Sequence, residues 1–485
     1  MTSAIPPETK ATWSALFARP HRGVAIVLAG GVAVYATNVY LTTTLLPSAV
    51  REIGGEQYFA LAMSGFLIAS VITSMFVRRA IDRLGPFGAY AIALSAFAVG
   101  SAVAALAPTM TVFLLGRVLQ GLGGGLITGL GFSMVRLAMP ENLRSRAIGL
   151  VSAMWGVGNI VGPLLGGLFA QLDAWRAAFW LLVVLCLLLL LLAYRSLPTR
   201  DRRNPTGRIP LGSLIFLTLS VASVSAGSIV EVRWVSWSLF DIGLLALVPF
   251  VLTDRRAREG VLPQFTYARG SALKWVYIGL ALLVIGSTIE TYIPFFGQAL
   301  GDLSPLWAGL LGAVLSWGWS LGGILSSSIE RPRLKASARI VGPVVLGIGL
   351  AVYGLLQVAS PTIAVIIWWY VVLFLAGLGI GIAFVHNVTA AMSSTDDPEE
   401  AMQASAGANS VQLISTAFGA AVTGFAVNFS ISSGDAFASR TLAFVMASIV
   451  LLGAVLTAST IRRGRSATMS GLISESTSAA SESTS

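Results

Sequence analysis

Phe179-Trp-Leu-Leu-Val-Val-Leu-Cys-Leu-Leu-Leu-Leu-Leu-Leu-Ala-Tyr194 carries neither charge nor proline over sixteen residues, and its apolar side chains follow one another without alternation. A strand of a membrane barrel alternates apolar and polar residues, whereas a helix crossing the bilayer needs roughly 20 mostly apolar residues in a row. Extended to 176–194, the run meets that length, and Arg176 and Arg195 bracket it. Cys186, the only cysteine in the chain, excludes an internal disulfide and a thiolate metal cluster. Inside such a run it reads as a small hydrophobe facing lipid.

The same pattern recurs along the chain. Apolar runs between charge or proline breaks lie at 23–47, 58–77, 87–107, 110–135, 147–171, 176–194, 211–230, 235–253, 275–298, 306–328, 340–359, 362–388, 404–428 and 441–461, which makes fourteen candidate spans. Of the 485 residues, 55% are hydrophobic and 11% charged, less than half the roughly 25% charge of a soluble domain. Lipid is therefore the solvent for most of the chain. The net charge of +10 does not point to nucleic acid, because the basic residues sit in short segments between apolar runs and not on one face of a soluble domain. Two histidines, His21 and His386, are too few for a histidine zinc site, and no metal centre is expected.

The loops set an orientation. With the N-terminus, every even-to-odd loop and the tail on one side, that side holds 26 of the 31 Lys and Arg. The other side holds Arg51, Arg176, Arg233 and Arg440, and Arg117 falls inside span 4. The positive-inside rule then places both termini in the cytoplasm. Ser394-Thr-Asp-Asp-Pro-Glu-Glu400 is acidic, but acidic residues weigh little in that rule. Span 1 is longer than a signal-peptide core and has no good cleavage site, so it reads as retained.

Two segments repeat. Gln120-Gly-Leu-Gly-Gly-Gly125 is followed by Pro140-Glu and Ala147-Ile-Gly149; Ala376-Gly-Leu-Gly-Ile-Gly381 is followed by Pro398-Glu and Ser405-Ala-Gly407. The offset is 256 at the glycines and 258 at the prolines, a shift of eight helices in the same direction. Parallel repeats of this kind are related by an axis along the membrane normal. Spans 1–6 would match spans 9–14, with spans 7 and 8 inserted.

In span 5, Gly158-Asn-Ile-Val-Gly-Pro-Leu-Leu-Gly-Gly167 places glycines four apart, a spacing that lets two helix backbones approach closely. Pro163 removes one helical hydrogen bond and can bend the helix. Ordinary close packing would use the same residues. The glycines lie within spans, with no strand before them and no phosphate-binding lysine, which argues against a nucleotide loop. Span 4 carries Arg117-Val-Leu-Gln-Gly-Leu-Gly123, and the span 2–3 loop carries Arg79-Ala-Ile-Asp-Arg-Leu-Gly85.

On these motifs the chain resembles the major facilitator superfamily, and within it the fourteen-helix branch of drug:proton antiporters. Span 5 looks like the antiporter pattern G-x-x-x-G-P-x-x-G-G, through Gly158, Gly162, Pro163, Gly166 and Gly167, and span 4 is similar to R-x-x-Q-G-x-G. The span 2–3 loop keeps Asp82, Arg83 and Gly85 of G-x-L-x-D-R-x-G-R, with Arg78 where the first glycine is expected. The span 1 pattern would put an aspartate where this chain has Asn38. The resemblance implies an all-α polytopic membrane protein of major-facilitator type, two six-helix repeats plus two inserted helices. It also implies a cytoplasmic latch at Asp82 and Arg83, for which a merely topological basic loop is the alternative.

Arg117 lies about eight residues into span 4 and cannot shed its charge, so it must meet protein, water or a carboxylate there. It reads as an element of proton coupling or substrate attraction, or as half of a buried ion pair, with Gln120 one turn away. Its repeat counterpart near 373 is leucine, so the symmetry of the fold does not require it. Glu290, about 15 residues into span 9, is a candidate proton carrier, because burial favours the neutral carboxyl. A structural hydrogen bond is its alternative, and Asp241 in span 8 reads equally well as interfacial. Tyr35, Tyr40, Trp155, Tyr292 and Trp317 are candidate cavity aromatics or interfacial anchors. Asn387-Val-Thr389 matches a glycosylation sequon at a cytoplasmic helix end and should be silent.

The expected organisation is a cytoplasmic segment at 1–22, a six-helix bundle at 23–194, a basic loop at 195–210, two inserted helices at 211–253, a second basic loop at 254–274, a six-helix bundle at 275–461 and a disordered cytoplasmic tail at 462–485. The expected function is secondary transport in a bacterial inner membrane: proton-driven export of lipophilic small molecules by a monomer without a cofactor. The alternatives are an exporter of an anionic or lipid-like metabolite and an uncoupled facilitator. No convergent catalytic set is visible, so no enzymatic activity is expected.

Overall fold

The computed structural model describes residues 13–198 and 210–482, except 231, 258, 259, 269 and 396, and beyond Arg462 the backbone alone. Much of the expected N-terminal segment and of the 195–210 loop therefore lies outside the described residues. Among those described, fourteen helices are long and apolar enough to cross a membrane. They are α1 His21–Ile53, α2 Glu56–Ser74, α3 Val77–Ala105, α4 Met110–Val135, α5 Arg146–Gln171, α6 Trp175–Ser196, α7 Leu211–Ile229, α8 Arg233–Arg256, α9 Leu273–Gly301, α10 Pro305–Ser327, α11 Pro332–Leu355, α12 Ile363–Met392, α13 Gln403–Ser433 and α14 Asp435–Arg462. All fourteen spans read from the sequence are present. The last helix continues in backbone to Glu482, where a disordered tail was expected; no proline interrupts the Ser- and Ala-rich stretch that follows Arg462.

The turns lie where the backbone needs glycine. Gly54 and Gly55 end α1 at φ 71° and 83°, and Gly434 at φ 100° separates α13 from α14. Within α3, Gly85 has φ 73° and ψ 172°, a conformation essentially closed to other residues, and Pro86 starts the next helical stretch. Asp82 and Arg83 consequently sit at the end of a short helical stretch and not in a loop. The expected latch charges are held on a helix that breaks at Gly85.

The repeat is visible in the backbone packing. A Cβ on Gly121 or Gly125 of α4 would collide with the carbonyls of Phe66 and Ser70 on α2; a Cβ on Gly377 or Gly381 of α12 would collide with those of Leu315 and Trp319 on α10. Gly123 meets α3 at Phe97, and Gly379 meets α11 at Leu346. The offset of 256 that relates α4 to α12 is joined by one of 249 that carries Phe66, Ser70 and Phe97 onto Leu315, Trp319 and Leu346. In lipid, such backbone-to-backbone contact supplies the van der Waals packing that holds helices together.

The compact units are cut differently from the repeats. One comprises Met1–Val261, Glu290–Ala313 and Ala420–Asn428; the other comprises Leu262–Ile289, Val314–Gly419 and Phe429–Ser485. In the first unit α1 packs on α5, α3 on α4 and α6, and α2 on α4. The inserted α7 and α8 form a hairpin tied by Ser220 Oγ donating to the Gly243 carbonyl (2.6 Å) and Ser236 Oγ to that of Gly227 (2.7 Å). The hairpin joins α2 through Ser64 and Ser225, whose hydroxyls are 3.0 Å apart, and joins α13 through Phe240 and Phe425. Cys186, expected to face lipid, is buried, because α6 packs against both α3 and α1. In the second unit α14 packs on α9 and α11, and α11 on α12.

Candidate functional site

The first unit carries a polar cluster in the middle of its helices. Arg117 is completely buried, as are Asn38 of α1, Gln120 of α4 and Ser101 of α3. Arg117 Nη1 donates to Gln120 Oε1 (2.6 Å) and to Asn38 Oδ1 (3.1 Å), and its Nε donates to the Ala62 carbonyl of α2 (3.1 Å). Gln120 Nε2 donates to Ser101 Oγ at 2.7 Å. The cluster therefore joins four helices. Its formation follows from the glycines: α4 comes close enough to α2 and α3 for one arginine to reach the Ala62 carbonyl and, one helix further, Asn38.

Every oxygen around Arg117 is neutral. Among the described residues the only ion pair is Arg176 with Glu52, elsewhere in the unit. The guanidinium carbon also lies 4.3 Å from the centre of the Phe66 ring, whose π face attracts a cation. Phe66 packs on Tyr35 (5.3 Å between centroids), which meets Trp155 of α5 edge-on at 5.6 Å. The cluster is thus a permanent positive charge set beside an aromatic wall. The second repeat holds no such charge: at the offsets of 256 and 249, Arg117, Gln120 and Ser101 correspond to Leu373, Ala376 and Leu350, all buried. The same backbone cradle is filled with apolar side chains there, so the cradle's geometry does not by itself call for an arginine.

The cluster gives a direct expectation for Asn38→Asp. A carboxylate there would accept from Arg117 Nη1 as an anion, and charge-assisted hydrogen bonds are roughly twice as strong as neutral ones. The variant should be stabilised by about 1–2 kcal/mol, seen as a higher melting temperature in detergent. An unchanged or lower melting temperature would show that Arg117 is already fully satisfied.

The span 5 motif forms a second feature. Gly158, Gly162 and Gly166 of α5 lie along α1: a Cβ on Gly162 would be 2.6 Å from Tyr40 Cβ and 2.9 Å from the Thr37 carbonyl, and one on Gly166 would be 2.8 Å from the Leu41 carbonyl. Gly167 faces a third helix, with Leu306 Cα of α10 at 2.6 Å from its added Cβ. Gly309 of α10 answers it from the other side, lying over Thr44 and the Pro163 carbonyl. The glycines thus lock α1, α5 and the start of α10 together. In the same unit, Tyr292 packs with Phe59 (4.7 Å), Phe295 and Phe296 as an aromatic cluster in which Phe295 is half-buried and the other three are buried.

The structure brings Arg117, Gln120, Asn38, Tyr35 and Trp155 together. Tyr40 is taken up by the α1–α5 contact, and Trp317 lies half-buried in α10. Glu290 is not a partner of Arg117; it is half-buried in the 3-10 turn Thr288–Thr291 that interrupts α9. Asp82 is half-buried with Oδ2 lacking a hydrogen-bond partner among the described residues, and Arg83 is exposed. Sequence reasoning missed Ser101, Phe66, Leu306 and Gly309. Gly309 and Gly312 in Trp307-Ala-Gly-Leu-Leu-Gly312 were the available signal.

Fourteen membrane-capable helices built on a parallel repeat, with a polar cluster deep in one half, make up a secondary transporter. The chain belongs to the Major Facilitator Superfamily, whose family model matches residues 28–420. A Mycobacterium tuberculosis H37Rv protein named "probable multidrug-efflux transporter" is 36% identical over 94% of this chain and 97% of its own length. The puromycin resistance protein of Streptomyces alboniger is 28% identical over 87% of this chain and 84% of its own. Among solved structures, an auto-inhibited peptide transporter of the POT family superposes with a TM-score of 0.66 at 17% identity, covering 91% of this chain and 97% of that one. That likeness establishes the fold. A multi-pass membrane protein that moves a small molecule follows from the family and the fourteen helices.

Proposed function

We propose that the chain exports lipophilic small molecules across a bacterial cytoplasmic membrane, as a monomer with both termini inside, exchanging them for protons by alternating access. The observation that carries this reading is the buried Arg117 cluster beside Tyr35, Phe66 and Trp155. Such a site offers apolar surface for a lipophilic body and a cation for an electron-rich group. The 36% identity to a protein named for multidrug efflux supports the same reading.

With Asn38 neutral and Arg117 unable to shed its proton, this cluster has no carboxyl that could carry a proton. Proton exchange is therefore assigned to Glu290, at the break in α9, where a carboxyl alternately loaded and released would couple the two fluxes. A second reading has its own support: because no carboxylate neutralises Arg117 among the described residues, the cluster suits an anionic substrate. Proton movement in proteoliposomes under an imposed pH gradient tests both readings, using lipophilic cations, neutral drugs and organic anions in turn. Wild type should release protons on addition of one class, and Glu290→Gln should lower that signal at least tenfold. Full coupling in Glu290→Gln would remove Glu290 from the mechanism. A response to anions alone would establish the second reading, and no response to any compound would remove drug efflux.

A further inference from the structure

Where α9 begins and α14 ends, the second unit holds a cavity of about 350 Å³ lined by Ser271, Lys274 and Trp275 of the α9 end, Arg339 of α11, and Thr460 and Ile461 of α14. Two cations face it. Arg339 is half-buried and oriented by one hydrogen bond, Nε donating to Asn387 Oδ1 at 3.0 Å, which leaves its Nη groups without a hydrogen-bond partner among the described residues. Asn387 is itself buried and fixed by donating to the Ala383 carbonyl, so the guanidinium is held in place and not free to swing. Lys274, also half-buried, takes part in no ion pair among the described residues.

The position selects the ligand. Lys274 is the second residue of α9, and Thr460 and Ile461 close the apolar span of the last helix just before Arg462, so the cavity lies at the ends of the membrane-capable spans, the level of lipid headgroups. Trp275, 39% exposed, is an amphipathic side chain of the kind that sits at that level, and Ile461 adds an apolar wall. Basic pockets between membrane helices bind anionic headgroups. We propose that this cavity is a binding site for an anionic phospholipid: Arg339 and Lys274 hold its phosphate, the Ser271 and Thr460 hydroxyls lie beside it, and the acyl chains leave over Trp275 and Ile461. The site is independent of the Arg117 cluster and does not rest on what the chain transports.

The test uses the full chain, purified and delipidated in detergent. Phosphatidylglycerol is titrated against it, with phosphatidylcholine and inorganic phosphate as separate arms, and bound lipid is counted by native mass spectrometry beside thermal melting. Phosphatidylglycerol should bind and raise the melting temperature, while the other two do neither. Lys274→Gln and Arg339→Gln should each weaken it about fivefold, and the double variant more than tenfold. Lys274→Gln leaves the Arg339–Asn387 hydrogen bond untouched, so its result stands even if Arg339→Gln folds poorly. Equal phosphatidylglycerol binding by wild type and Lys274→Gln would overturn the proposal. Equal protection by inorganic phosphate would overturn it too, by making the cavity a site for soluble anions.

Discussion

Arg117→Leu is expected to abolish transport while leaving a folded protein. Two effects on stability oppose each other. Losing the guanidinium takes a donor from Asn38 Oδ1, the Ala62 carbonyl and Gln120 Oε1; Asn38 Oδ1 keeps the longer donations of Gln120 Nε2 and Thr42 Oγ1 (3.4 Å each), and an acceptor left wholly unpaired costs about 1–3 kcal/mol when buried. It also removes a charge whose placement at membrane depth costs about 2.5–3.5 kcal/mol on insertion scales. The net destabilisation is a few kcal/mol at most, and Leu373 shows that the equivalent cradle folds around leucine. Function has no such compensation, because the only cation of the cluster is gone. Substrate flux into vesicles should fall at least a hundredfold, and Arg117→Lys should lose at least tenfold, since an ammonium cannot reproduce donation from both Nε and Nη1. A monodisperse Arg117→Leu protein transporting within twofold of wild type would make the arginine a structural ornament.

The second large effect is expected at Gly162. Valine there would put its Cβ 2.6 Å from Tyr40 Cβ and 2.9 Å from the Thr37 carbonyl, with two further methyl groups to place. Overpacking costs about 1–3 kcal/mol when neighbours can yield, and here one neighbour is backbone of α1. A fall of about 3 °C in melting temperature follows, together with loss of transport. Gly156 is the control: it lies on the same helix, and a Cβ there meets nothing within 4 Å. Gly156→Val should melt close to wild type. Equal losses in both variants would mean that helix α5 tolerates no valine at all, and that the α1 contact is not what Gly162 serves.

The fold was legible because lipid imposes a simple requirement. A chain that must satisfy its backbone internally over about 30 Å of hydrocarbon writes each helix as a run of apolar residues, and all fourteen runs became helices. The glycine stripes were legible for the same reason, since close approach needs small residues at fixed spacing. Arg117 and Gln120, three apart on one helix, read as neighbours. What joined them to Asn38 and Ser101 was not readable, because those residues lie on other helices and nothing in their local sequence says which way they face. Cys186 shows the limit clearly: an unbroken apolar run does not reveal which of its faces meets protein and which meets lipid. The interlock of Gly167 with Leu306, and of Gly309 with Thr44, joins residues more than a hundred positions apart; the glycines marked each segment as a place of close approach, but nothing in either segment named its partner.

The uncompensated guanidinium has an electrical consequence. A cell membrane sustains a voltage, and an elementary charge carried through 100 mV exchanges about 2.3 kcal/mol with that field. Arg117 keeps its charge at every pH a cell reaches, so any displacement of α4 along the membrane normal does work against the field or draws work from it, in proportion to the fraction of the voltage crossed. The carrier need hold no ion or substrate for this to occur. A carrier whose conformations differed in the depth of Arg117 would have its resting balance tied to the energised state of the cell, through a residue the second repeat does without.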